Sequence, residues 1–118
     1  MKKPSLEPMT IEHWRALMPS MPVPCRVKAL AMVLEDEVLA LGGIAFTPSP
    51  IMFLDVTDEA RKYPVTLYRG ARRVMDWARE IGGVSAVRDD EEPSSTRFLT
   101  HLGFRDDGVF WRFGNVWH

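Results

Sequence analysis

Arg61 and Lys62 are the side chains whose placement in the chain points most directly to chemistry. They follow the apolar run Ile51-Met52-Phe53-Leu54-Asp55-Val56 and come just before Pro64, where a long amphipathic pattern begins. Proline suits the first helical turn, where its missing N–H costs nothing. Two cations therefore stand at a helix N-terminus, whose unpaired N–H groups and dipole favour an anionic ligand. In a parallel sheet this end of the helix lies beside the C-terminal end of the preceding strand, the usual place for such a ligand. The plain alternative is that Arg61, Lys62, Arg69, Arg72, Arg73 and Arg79 form the wet face of the helix, with Arg72 and Asp76 paired at i,i+4.

The other reactive side chains suggest less. Cys25 is the one cysteine, so no internal disulfide is expected and the chain suits a reducing compartment. His13, His101 and His118 are far apart without cysteine companions, so no metal site is expected. A formal net charge of −1 argues against a general nucleic-acid binder. The charge is uneven, however: a basic segment over residues 61–88 is followed at once by Asp89-Asp90-Glu91-Glu92. The longest apolar runs fall well short of the roughly 20 residues of a membrane span, and the start lacks the apolar core of a signal peptide. A soluble, cytoplasmic protein with no membrane partner is expected.

The elements that position Arg61 and Lys62 follow from periodicity. Residues 51–56 read as a strand covered on both faces. Leu67, Ala71, Val74, Ala78 and Ile81 recur at alternating steps of four and three, a helical stripe that Gly82-Gly83 closes. Val84 to Arg88 reads as a second strand, and so long a crossover makes the two strands parallel. Before this βαβ unit, Thr10 can cap a short helix over 11–18. Residues 25–34 and 38–46 read as a hairpin with Glu35-Asp36-Glu37 at its tip, and Gly42-Gly43 suggests a bulge or a close backbone approach. Thr47-Pro48-Ser49-Pro50 predicts a loop. After the acidic run, Pro93-Ser94-Ser95 opens a short helix closed by Gly103, and a hairpin turning at Asp106-Asp107-Gly108 ends the chain. One domain over 1–118 is expected, with 1–9 irregular.

This order of elements, with Arg97-Phe98-Leu99-Thr100-His101-Leu102-Gly103-Phe104 before the last hairpin, resembles the Gcn5-related N-acetyltransferase (GNAT) superfamily over about residues 10–113. The compact size and the Arg-Lys-Tyr-Pro entry into the helix also resemble short acetyltransferase-like proteins of tailed bacteriophages. The resemblance implies an α+β fold with a mixed, mostly antiparallel sheet, a central βαβ unit and a C-terminal hairpin. It implies acetyl-CoA as cofactor, with pantetheine in the gap between the two parallel strands, beside Val56 and Thr57, and pyrophosphate near Arg61 and Lys62. The activity implied is acyl transfer from acetyl-CoA to an amine, with Asp55 at the position of the family's base.

The sequence departs from the family's pattern at two places. The pyrophosphate loop runs Arg or Gln, two residues, Gly, one residue, Gly or Ala; the matching positions are Arg61, Pro64 and Thr66, so only the first agrees. Proline cannot donate, although attraction to the helix dipole survives at about 0.3–1 kcal/mol per charge. The tyrosine that commonly protonates the leaving thiolate is replaced by Leu99, and Tyr63 and Tyr68 lie elsewhere. The alternative implied is a non-catalytic phage structural or host-interacting protein, located in the host cytoplasm or the virion. The terminal aromatics Phe104, Phe110, Trp111, Phe113 and Trp117 suggest a homodimer or other protein partner through the last hairpin, or a strand covered on both sides.

Overall fold

The computed structural model describes residues 2–22, 26–47, 49–87, 100, 102–106 and 110–114; for 47, 87, 106 and 110–114 it describes the backbone alone. The elements are β1 (Ser5–Pro8), α1 (Ile11–Leu17), β2 (Val27–Leu34), β3 (Glu37–Thr47), β4 (Ser49–Val56), a 3₁₀ turn (Ala60–Lys62), α2 (Pro64–Glu80), β5 (Gly83–Val87), β6 (Arg105–Asp106) and β7 (Phe110–Gly114). They build a seven-stranded sheet in the order β1-β2-β3-β4-β5-β7-β6. Every described pairing is antiparallel except β4 with β5, the pair that α2 bridges.

Alternation along the strands sends successive side chains to opposite faces. Trp14 of α1 packs with Ala31, Leu41 and Phe53 on one face. Its indole meets the Phe53 ring edge-on at 5.7 Å and donates to the Met21 carbonyl at 2.7 Å. On the other face Val74, Met75 and Ala78 of α2 pack on Ile44, Met52, Val84 and Ala86, joined by Leu102 and Phe104. The Leu-Gly-Phe segment thus anchors the chain's end to this core. Ile81, expected on the stripe, is 41% exposed because the helix closes there.

Several expectations are met and others corrected. Thr10 caps α1 in a reciprocal box: its hydroxyl accepts the His13 N–H at 3.2 Å, and His13 Nδ1 accepts the Thr10 N–H at 3.0 Å. Glu35 and Asp36 both have positive φ (50° and 68°), as a two-residue hairpin turn that follows the strand twist requires, so Glu37 already belongs to β3. Gly43 marks a close approach: a Cβ there would fall 2.5 Å from Ala29 Cα. The register shift lies elsewhere, between Met32 and Val33. The loop expected over 47–50 is a tight reversal, with Thr47 opposite Ser49 and Phe46 opposite Pro50. Residues 1–9, expected to be irregular, include β1, which pairs along β2 from Ser5 opposite Val33 to Pro8 opposite Leu30. Pro8 is tolerated because this strand is at the edge. β7 is not an edge strand, since β5 and β6 flank it. Most of the short helix expected after Pro93, and the side chains of the terminal hairpin beyond Arg105, lie outside the described residues, although Thr100 and Leu102 are helical.

Trp77 packs half-buried against the α2-side core, with Lys28 Nζ 4.6 Å from its ring centre. Full burial would make Trp77→Ala cost about 3–5 kcal/mol, so the half-covered ring is expected to cost about 2 kcal/mol in chemical denaturation. A loss below about 0.5 kcal/mol, the usual effect at a surface position, would show that the ring carries little of the packing.

Candidate functional site

β4 pairs with β3 along its whole length, from Ser49 opposite Thr47 to Val56 opposite Ala40. With β5 it pairs at two positions among the described residues, Ile51 with Ser85 and Met52 with Ala86. Phe53–Val56 therefore extend past the paired segment. The polarity of this stretch follows from one bond: the Thr57 N–H donates to the Leu39 carbonyl at 3.0 Å. Backbone groups alternate in an antiparallel ladder, so those of Asp55 and Phe53 also turn toward β3. Those of Leu54 and Val56 turn the other way, to the edge that no described residue pairs. Among the described residues nothing pairs with the two N–H and two C=O groups there.

Thr57, one of the expected cofactor contacts, is committed to the fold. Besides its N–H, its hydroxyl donates to the same Leu39 carbonyl at 2.7 Å and accepts the Ala60 N–H at 3.2 Å. It closes β4 and starts the 3₁₀ turn that carries Arg61 and Lys62. Val56 is half-buried, its side chain packed with Met32, Leu39, Ala40 and Ala60 while its backbone faces the open edge. The Asp55 side chain alternates onto the face of Phe53, the α1 side, and makes no hydrogen bond or ion pair with a described residue.

Arg61 and Lys62 are exposed and each is held by the acid three residues before it: Arg61 Nε is 4.0 Å from Asp58 and Lys62 Nζ is 2.9 Å from Glu59. The hydrogen bond that Lys62 donates to Glu59, and then the charge of Glu59, raise the Lys62 pKa, so the ammonium is secure at neutral pH. These exposed pairs are weak and screened by salt, and an anion could draw both cations away from them. α2 begins at Pro64 after Tyr63, with no side-chain cap and no acidic residue in its first turn. The N–H groups of Val65 and Thr66 have no acceptor within the helix. Further along, Asp76 pairs with Arg79 at 2.9 Å rather than with Arg72, whose guanidinium lies over the Tyr68 ring.

A second feature had no signal in the sequence beyond two glycines. Under the first half of α2 lies a small apolar cavity, partly open to solvent, lined from the helix by Leu67, Gly70, Ala71 and Val74 and from the sheet by residues of β1 to β4. Among the described residues no group of three or more His, Cys, Asp or Glu side chains could hold a metal, and no helix is long and apolar enough to cross a membrane.

Comparison with protein-family models and with curated proteins finds no match. Among solved structures, the chain is similar to YhhK from E. coli, a candidate N-acetyltransferase whose solution NMR structure has coenzyme A bound. The likeness covers 97% of this chain and 100% of that one, with a TM-score of 0.68 at 15% sequence identity. It shows the fold: the chain has the α+β, GNAT-like architecture that the sequence resemblance implied.

Thr57→Val removes the hydroxyl that accepts the Ala60 N–H and reinforces the Leu39 carbonyl. The variant is expected to lose about 1–2 kcal/mol in urea denaturation, a hydrogen bond or two. No loss would mean that water replaces the hydroxyl and leaves it available to a ligand.

Proposed function

We propose that the chain binds acetyl-CoA along the open edge of β4 and acts as an N-acyltransferase of the GNAT type with a degenerate pyrophosphate loop. The observation that carries this reading is the run Phe53–Val56, whose edge away from β3 is paired by no described residue and which ends beside the uncapped start of α2. An extended pantetheine arm carries amides that match the free backbone groups of Leu54 and Val56. The pyrophosphate would then meet the first-turn N–H groups of α2, with Arg61 and Lys62 supplying the charge that Pro64 cannot replace as a donor. CoA supplies the activated thioester; the chain's own residues bind and orient it. In this reading Asp55 is the carboxylate nearest the thioester end of the edge, set to take a proton from an amine approaching from the α1 side.

A second reading, a non-catalytic binding protein such as a phage structural or host-interacting protein, is favoured by one specific observation. Leu99 stands where the family's tyrosine would protonate the departing thiolate. Acetyl-CoA that is bound and never consumed across a panel of amines would select this second reading.

Calorimetric titration tests the site itself. Acetyl-CoA is expected to bind with an affinity that falls as salt rises. Arg61→Ala combined with Lys62→Ala should weaken it at least about tenfold at low salt while the protein stays folded. Unchanged affinity in the double variant would move the phosphate site elsewhere.

A further inference from the structure

The cavity under α2 is distinct from the edge proposed for pantetheine, yet shares β4 with it. Met52, the last residue of β4 paired with β5, lines the cavity, and so does Leu54, the next residue on that face; no residue of β5 does. Leu54 is 47% exposed and stands where the cavity meets the open edge. No charged, hydroxyl or amide side chain lines the space, which therefore suits a hydrocarbon and penalises a polar group.

Two glycines keep the space open. Gly70 lies in the interior of a 17-residue helix, where glycine costs helix stability, so its place there calls for a packing reason. A Cβ at Gly70 would approach Leu6 Cδ2 to 3.3 Å, and one at Gly42 would approach Leu54 Cδ1 to 3.2 Å. Larger residues would push into the cavity from the helix and the sheet at once. Leu6 comes from β1, so this edge strand supplies the far wall.

We infer that this cavity receives the alkyl tail of an acyl donor longer than acetyl, an unbranched short- to medium-chain acyl-CoA. The inference rests on the CoA reading above. A thioester lying along β4 would send a short acetyl group only as far as Leu54, whereas a longer chain continues past Leu54 and Met52 into the space beneath α2.

The test is calorimetric titration of the full chain with acetyl-CoA and hexanoyl-CoA. Hexanoyl-CoA is expected to bind at least about tenfold tighter, because four further methylenes leave water. In Gly70→Leu the ratio of the two affinities should fall to about one; leucine favours the helix, and thermal melting checks that the variant is folded. Should Gly70→Leu melt early, Gly42→Ala carries the same test with one added methyl and should at least halve the ratio. Equal affinities in the native protein, or an undiminished hexanoyl preference in a folded variant, would overturn the inference while leaving CoA binding intact. Failure of both ligands to bind would instead overturn the CoA reading and the inference with it.

Discussion

A backbone edge that no described residue pairs beyond Met52 is the constraint from which the rest of this structure follows. Buried N–H and C=O groups must be paired, and β4 meets that demand fully on the β3 side. On the other side its described pairing stops at Met52. Two elements hold this arrangement. The Thr57 hydrogen bonds fix the end of β4 against Leu39, and α2 spans the crossover while packing on both parallel strands through Val74, Met75 and Ala78. The edge is therefore held from behind and, among the described residues, unpaired in front, an arrangement that would let an extended ligand bind with little ordering cost.

The electrostatics of the site are modest. Arg61 and Lys62 rest on Asp58 and Glu59, so the charge of each is partly offset by its neighbour. What is in place is geometry: an uncapped helix start of 17 residues, with no acid in its first turn, beside a strand end. Proline at the head of this helix sets the backbone for the turn and removes a donor, so an anion bound here would depend on side-chain charge more than one held by a glycine-rich loop. Sensitivity to salt is the physical signature of that exchange.

Much of the fold was legible because its elements are long and periodic. The stripe of α2, the apolar run of β4 and the glycines after Glu80 together specify a parallel crossover, and Thr10 marks the start of α1. β1 escaped because the three residues between Pro4 and Pro8 carry too little alternation to register, and only the presence of β2 beside them makes a strand. The reversal before β4 escaped for a related reason: Pro50 reads as a breaker, yet its nitrogen faces the β5 edge, where pairing begins only at Ile51, so it removes no bond from the β3 ladder. At the site, Arg61 and Lys62 were legible from their place before Pro64. The commitment of Thr57 to the fold and the cavity between Gly42 and Gly70 were not, since both depend on which residues meet across strands.

The most direct test of the open edge uses the alternation along β4. In amide-resolved NMR titration with acetyl-CoA, the amides of Leu54 and Val56 should shift in a saturable way, and their hydrogen exchange should slow. Those of Phe53 and Asp55, already bonded to β3, should change far less. Saturable shifts confined to another surface, or changes of equal size at all four amides, would contradict the account.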